Sequence, residues 1–167
     1  MNQQTGLFGK YRGVVVNNVD PLLIGRVQAF VPDVTGPVPT CWAMPCFPVN
    51  GVFAVPAIGA GLWIEFERGD ADYPIWVGCY YGSNAELPSM VGSSPPHFSA
   101  ITLETSLQNG IRITDAPGPT GGITIQSASG AIVTVNDAGI RLSNGKGASV
   151  DLAGPSVVVN NGALSVD

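Results

Sequence analysis

The residue most often used for acid–base catalysis occurs once in this chain. That histidine, His97, follows Pro95 and Pro96. A catalytic histidine needs a nucleophile or a carboxylate as its partner, and the sequence suggests none for this one. We therefore interpret His97 as a linker residue and predict no catalytic site around it.

Three cysteines could bind a metal or form a disulfide. Cys41 and Cys46 do not have the Cys-x-x-Cys spacing typical of zinc sites, and no histidine stands near them in the sequence. Cys79 makes the count odd. We expect three reduced, mostly buried thiols that bind no metal.

Four carboxylates between residues 65 and 72 form a dense acidic group. Glu65 and Glu67 would share one face of a strand, because alternate residues of a strand point to the same side. The turn at Gly69 and Asp70 lacks the ligand spacing of a calcium loop. We interpret this group, which also includes Asp72, as the solvated rim of a domain.

Two further motifs could indicate an enzyme. The glycine-rich stretch 118–122 lacks the Lys-Ser or Lys-Thr of a phosphate-binding loop, which favours a structural corner. No serine or cysteine stands in the context of a nucleophile elbow. We expect no catalytic residue, no cofactor and no metal, so the chain is predicted not to be an enzyme. A hydrolase stays as a third hypothesis, which turnover of peptidoglycan would reveal.

Charge and hydropathy exclude several partners for this chain of 167 residues. Seven lysines and arginines against twelve acids give a formal net charge of −5, which predicts no nucleic-acid binding. No apolar run approaches the roughly 20 residues of a membrane-spanning helix. The first residues lack the basic start and apolar stretch of a secretory signal. We therefore expect assembly in the cytoplasm of the producing cell.

Aromatic residues divide the chain into two halves. Residues 1–92 contain every tryptophan and tyrosine and all phenylalanines except Phe98. The first half can build a core around large rings, whereas the second must pack small aliphatic side chains. A Pro-, Ser- and Gly-rich stretch over 86–96 is typical of a linker between two domains.

The first half shows the period-2 pattern of short strands. We predict strands over Tyr11–Asn17, Gly25–Pro32, Trp42–Phe47, Leu62–Glu67 and Pro74–Tyr81. Five short strands with glycine-marked bends favour a small closed barrel.

The second half repeats a pair of aliphatic residues spaced i, i+2, which predicts stacked strands with one inward stripe. Seven strands are too few for a single-chain coil with three strands per turn, so we expect three copies to intertwine. Each layer then takes one strand from each chain, and the chains pair along the shaft. The predicted trimer core is Ile111, Ile113, Ile123, Ile125, Val133, Val135, Ile140, Leu142, Val150, Leu152, Val157, Val159, Leu164 and Val166.

An ordered set of motifs in the first half carries a family resemblance. The segments are Gly13–Pro21, Gly25–Pro32, Trp42–Cys46, Pro56–Glu67 and Gly69–Gly78. In this order they resemble the OB-fold domain of phage baseplate assembly protein V and VgrG-type spikes. The tail, Val157–Val166, is similar to the terminal β-prism of the same spikes.

The resemblance implies an all-β homotrimer with an N-terminal OB-fold barrel and a C-terminal intertwined triple-stranded β-helix, or prism. The expected boundaries are a hub-contacting segment 1–9, the barrel 10–83, a linker or neck 84–100 and the β-helical spike 101–167. Within the first segment, Leu7 and Phe8 are the expected hub contacts.

The function implied by the resemblance is that of a central spike in the baseplate of a contractile injection system. Such a spike attaches below the trimeric hub of the inner tube and punctures the target membrane when the sheath contracts. The end of the chain directly after its last aliphatic pair suits a separate PAAR-type tip protein. The particle would be a phage tail or a tail-like assembly, released or retained. The alternatives are a trimeric tail fibre or adhesin, and an OB-fold binding module with a disordered tail.

Overall fold

The computed structural model describes residues 6–93 and 98–166, so His97 lies outside the described residues. Nearly all of its regular structure is β, and α1 (Pro32–Thr35) is the one α-helix among the described residues. The chain forms two compact units, Met1–Glu86 and Leu87–Asp167. Short 3-10 turns occur at Glu67–Gly69, Asn84–Glu86, Ser89–Ser93, Gly118–Thr120 and Asn160–Gly162.

The first unit is a five-stranded sheet that curls into a barrel. Its strands are β1 (Tyr11–Asn17), β2 (Gln28–Phe30), β3 (Met44–Pro45), β4 (Gly61–Phe66) and β5 (Pro74–Tyr80). They lie in the order β2-β1-β4-β5-β3. Two backbone hydrogen bonds between Val27 and Ala43, of 2.7 and 3.2 Å, join the two ends of this order. These bonds close the predicted barrel.

The core of the barrel follows the alternation predicted from the sequence. Along the second predicted strand, Val27, Ala29 and Val31 are fully buried, while the residues between them are only partly covered. In β4, Leu62 and Ile64 are fully buried and Phe66 nearly so. Apolar side chains on one side of each strand therefore form the barrel interior.

The loop between β1 and β2 is organised by one buried carboxylate, Asp20, which is 5% exposed. Its two oxygens accept hydrogen bonds from the backbone N–H groups of Leu22, Ile24 and Arg26 at 2.9–3.1 Å. They also accept two bonds from the Arg26 guanidinium, at 3.0 and 2.7 Å. The Arg26 side chain and these backbone donors hold the pKa of Asp20 well below its usual range.

The same loop packs on a cluster of aromatic rings. The indole N–H of Trp76 donates to the carbonyl oxygen of Gly25 at 3.1 Å. Gly25 has φ +86°, and a Cβ there would lie 3.2 Å from the rings of Phe47 and Phe53. Glycine is thus needed at this position both for its backbone conformation and for the close approach of the rings.

The second unit is one antiparallel sheet of eight described strands. The strands are β6 (Ala100–Glu104), β7 (Gly110–Thr114), β8 (Gly122–Gln126), β9 (Ile132–Asn136), β10 (Gly139–Ser143), β11 (Ser149–Ala153), β12 (Ser156–Val159) and β13 (Leu164–Val166). Each strand from β7 to β12 pairs with the strands before and after it in the same chain, and β6 and β13 pair with one neighbour each. The sequence analysis expected strands of different chains to pair along the shaft. For the described strands this expectation is corrected, because the turns between consecutive strands bring each strand beside its neighbour in the same chain.

Part of the expected linker folds onto this second sheet. Met90 is nearly fully buried. The backbone N–H groups of Ser89 and Met90 donate to the carboxylate of Glu104 in β6, at 3.0 and 2.8 Å. Residues 89–93 therefore form a short cover over one end of the sheet. In the part of the chain that the structure describes, no helix has the length and hydropathy to cross a membrane.

We predict that Asp20→Asn lowers the midpoint of thermal unfolding of the barrel by on the order of 10 °C, because it leaves the partly buried Arg26 without its counter-charge. Tryptophan fluorescence reports on this unit specifically, since all three tryptophans lie in it. The matched control is Asp33→Asn, which changes an exposed carboxylate in α1. Equal midpoints for the two variants would contradict the role given to Asp20.

The same carboxylate predicts a pH dependence of unfolding. Because its pKa is lower in the folded state, its contribution is fully present above the unfolded-state pKa of about 3.9 and is lost as the pH falls below that value. The midpoint of the wild type should fall more steeply below this pH than that of Asp20→Asn. Parallel curves would show that Asp20 is not the responsible group.

Candidate functional site: an exposed aliphatic face

The strand register places the predicted core residues in two straight columns on one face of the second sheet. The first, which we name the A column, contains Ile113, Ile123, Val135, Ile140, Leu152, Val157 and Val166. The second, the B column, contains Ile111, Ile125, Val133, Leu142, Val150, Val159 and Leu164. Consecutive residues of a column lie directly opposite each other on neighbouring strands. The fourteen residues therefore form one continuous stripe that is two residues wide.

This face is not covered by the described residues of its own chain. Isoleucines near the middle of the stripe, such as Ile123 and Ile125, keep 41% and 45% of their surface exposed. Leu142 is 44% exposed, while Val133 and Val150 are partly buried. A continuous apolar surface of this extent marks an interaction site in a soluble protein.

Two residues that the sequence analysis did not include extend the stripe by one strand. Ile101 and Leu103 of β6 oppose Ile113 and Ile111, and they are 63% and 67% exposed. They show the same i, i+2 spacing as the predicted pairs. The sequence analysis places both residues in the spike, which is expected to begin at residue 101, but does not include them in its core.

The opposite face of the sheet has different chemistry. Its central file includes Thr102, Thr124 and Thr134, and Arg141 pairs with Asp151 across two strands at 3.5 Å. Arg112, on the same face, is covered and donates to the carbonyl oxygens of Met90 and Thr120, at 3.5 and 3.0 Å. The Arg112 guanidinium and the Arg141–Asp151 pair thus have partners within the chain on this face, whereas the aliphatic face is uncovered.

The acidic group at 65–72 behaves as a barrel rim. Glu65 forms an ion pair with Lys10. Asp70 accepts a hydrogen bond from the backbone N–H of Asp72 at 3.0 Å. Among the described residues, no three His, Cys, Asp or Glu side chains are grouped so that they could hold a metal ion.

The glycine-rich stretch 118–122 contains a 3-10 turn at Gly118–Thr120. The backbone N–H of Gly118 donates to the Asp137 carboxylate at 2.9 Å. A phosphate-binding loop would offer such a backbone N–H to its ligand, but here the N–H of Gly118 is bonded to a carboxylate of the same chain.

The prediction of mostly buried cysteines is wrong. Cys41, Cys46 and Cys79 are all free thiols and all exposed. Cys46 directly follows the two-residue strand β3, and Cys41 lies three residues before that strand. Cys79 lies near the end of β5.

The two expected hub contacts have different environments. The backbone N–H of Leu7 donates to the carbonyl oxygen of Gly69 at 2.8 Å, and its side chain packs against the barrel core. Gly69 has φ +78°, and a Cβ there would lie 2.8 Å from the backbone of Gly6 and Leu7. Phe8, by contrast, is 72% exposed. Leu7 thus anchors the N-terminal segment to its own barrel and leaves Phe8 available to a partner.

A second apolar surface on the barrel was missed by the sequence analysis. Two loops, 18–24 and 47–58, are joined by a hydrogen bond of 2.9 Å from the Asn18 amide to the carbonyl oxygen of Pro56. Exposed residues of these loops are Val19, Leu22, Leu23, Val49, Phe53 and Ile58. No charged residue occurs between Asp33 and Glu65. This long uncharged interval is the sequence signal that could have indicated the apolar surface.

Comparison with known proteins identifies both halves of the chain. Residues 11–81 match the family model described as the Type VI secretion system/phage-baseplate injector OB domain. Residues 100–165 match the model of the phage baseplate V C-terminal trimerisation domain. No curated protein matches the chain. The trimerisation model covers the sheet that carries both aliphatic columns.

Strand β12 allows a test in which the same residue type lies on both faces. We predict that Val157→Lys or Val159→Lys destabilises the trimer by about 3 kcal/mol or more per chain, because each would bury an unpaired charge. Val158→Lys changes the opposite face, where Asp151 lies directly across on the neighbouring strand, and should cost less than about 1 kcal/mol. Denaturant-induced dissociation, followed by sedimentation, measures all three. Equal losses would contradict the assignment of the faces.

Proposed function

The chain belongs to the phage baseplate V family and is a structural component of a baseplate, and from this premise we propose that it is the central spike of a contractile injection system. The second unit, as a homotrimer, would form the shaft that punctures the target membrane when the sheath contracts. The observation that carries the proposal is the uncovered pair of aliphatic columns inside the segment that matches a trimerisation domain.

In the proposed shaft, the fourteen column residues face the threefold axis, together with Ile101 and Leu103. Each layer would contain one strand from each chain and six inward aliphatic side chains. Eight strands at about 4.8 Å spacing give a shaft on the order of 35 Å tall. Small aliphatic side chains suit this narrow core, which agrees with the near-absence of aromatic residues from this half of the sequence.

The proposed shaft suits an axial load. The backbone ladder bonds of each sheet run from strand to strand along the columns. Compression along the axis would press neighbouring strands together, and bending would have to open many ladder bonds in three sheets at once. Burial of the columns would join the three sheets into one body.

The proposed partners are a trimeric hub protein at the end of the inner tube, a separate PAAR-type tip protein and, transiently, the target membrane. Phe8, exposed on a segment that Leu7 anchors, is the proposed hub contact. At the other end of the chain, β13 pairs with β12 alone among the described strands. Its open edge offers backbone groups to which a tip protein could pair. The proposal includes no enzymatic activity and places the protein in a phage tail or tail-like particle.

Puncture is tested by particles assembled with variant chains. Val133→Asp, in the B column, should yield particles that contract but release little of a dye trapped in target vesicles, because the shaft cannot form. Thr134→Asp, the adjacent residue on the opposite face, should leave dye release close to the wild-type level. Full release by particles with the Val133→Asp chain would contradict the proposed function.

We predict that Phe8→Asp weakens binding to the cognate hub protein by about tenfold or more, because it places a charge in an apolar contact. The mass of the homotrimer should not change, since Phe8 lies outside the second unit. Val38→Asp, at another exposed apolar position of the first unit, is the control and should leave hub affinity within about twofold. Unchanged affinity of Phe8→Asp in titration calorimetry would remove this residue from the hub contact.

A further inference from the structure

The strands of the second sheet end along two sides, one beside each column, and the loops that connect the strands differ in length between these two sides. Beside the B column the strands are joined by longer loops, at 105–109, 127–131, 144–148 and 160–163. Beside the A column, β9 joins β10 and β11 joins β12 through two residues each, Asp137–Ala138 and Gly154–Pro155, whereas β7 joins β8 through the seven residues 115–121. We name these the B edge and the A edge. The B edge is therefore thick, and the A edge is thin over β9–β12.

Three loops of the B edge share one hydrogen-bonded conformation. In each, the N–H of the first residue donates to the carbonyl oxygen of the fifth, at 2.9–3.1 Å. The side-chain oxygen of the first residue accepts from the N–H of the fifth, at 3.1–3.2 Å. The pairs are Thr105 with Asn109, Ser127 with Ala131, and Asn144 with Ala148. This internal bonding makes each loop a preformed element.

These loops form the wall of a groove that follows the B column. The groove has a volume of about 710 Å³. Its floor is Ile125, Val133, Leu142, Val150 and Val159, and its wall includes residues of the loops 127–131 and 144–148. No charged side chain lines it among the described residues. It is therefore an apolar trough with a raised outer wall.

The A edge has a complementary form. At the first of its two-residue turns, the N–H of Ala138 donates to the Asn136 side chain at 2.9 Å. Gly139 then brings the strands very close, since a Cβ there would lie 2.0 Å from the carbonyl oxygen of Leu152. The chain therefore extends little beyond Ile140 and Leu152 of the A column. These side chains stand near a narrow edge and not behind a wall.

We propose that the A edge of one copy seats in the B-edge groove of the next copy, three times around the threefold axis. This inference rests on the proposed homotrimeric shaft. Copies related by a threefold axis contact one another through two different patches, whereas a twofold dimer uses one patch twice. A sheet with a groove along one column and a thin edge along the other supplies two such patches. The groove and the A column are apolar, and the Asp137 carboxylate in the first A-edge turn accepts a hydrogen bond from the backbone N–H of Gly118 at 2.9 Å within its own chain.

The proposal makes a specific prediction about contacts. Side chains of the A column should meet side chains of the B column of the neighbouring copy, and like columns should not meet. Rotation about a closed threefold axis carries no axial shift, so strands of the same number lie at the same level. Ile123 and Ile125 of β8 are therefore predicted to face each other across copies.

Disulfide trapping tests this arrangement in the full chain. The background carries serine at the three exposed cysteines, and the variants are Ile123→Cys, Ile125→Cys and the double variant. Two side chains at i and i+2 of a strand lie about 6.6 Å apart, beyond the roughly 3.8 Å Cβ separation of a disulfide, so the double variant can cross-link only between copies. On oxidation it should give a covalent trimer, and each single variant should remain a monomer on non-reducing gels.

Light scattering before oxidation shows whether each variant is a trimer. It therefore distinguishes a wrong arrangement of the columns from the absence of the trimer itself. Trimeric single variants that form covalent dimers would show that like columns meet and would overturn the proposal. So would trimeric double variants that fail to cross-link both here and at Ile140→Cys/Leu142→Cys, two strands further along. A wild-type chain that is not a trimer would instead overturn the proposed function. If the β8 double variant does not form a trimer, the cross-linking of the Ile140→Cys/Leu142→Cys variant in β10 tests the proposed arrangement.

Discussion

The structure depends on one constraint: the second sheet has an apolar face that nothing in the described chain covers. Together with Ile101 and Leu103, the A and B columns run across eight strands, with isoleucine, leucine or valine at every step. Burial of apolar surface is the main favourable term in folding, and this unit can obtain it only from other copies of itself. Trimer formation is therefore part of the folding of the second unit and not a later association of finished domains.

The first unit, by contrast, covers its apolar core side chains within a single chain. Its strands enclose their own core around Leu62 and Ile64, and Asp20 organises the loop beside that core through Arg26 and backbone donors. The barrel can thus be stable within one chain, while the sheet of columns requires three. This division matches the two tasks proposed for them: attachment to a hub by a self-contained domain, and puncture by a shaft whose stability is shared among the copies.

The sequence predicted those features that depend on local patterns. β1 and β4 were placed within a residue, because each is a short run rich in β-branched and aromatic residues between turn residues. Other features depend on tertiary contacts: Pro45 limits β3 to two residues, and the bonds from Asp20 to three backbone donors have no periodic signal. The partner of each second-half strand also had to be seen, since an i, i+2 pair does not say whether the next strand belongs to the same chain.

The most direct test of the account is the solution mass of the purified full chain, measured by light scattering over a wide dilution range. Three chains of 17.2 kDa give about 52 kDa, and the account predicts this value at every concentration at which the second unit is folded. Circular dichroism on the same samples would report the folded β content. A folded monomer of 17.2 kDa with its full β content would contradict the account, because the aliphatic columns would then be stable in water without a partner.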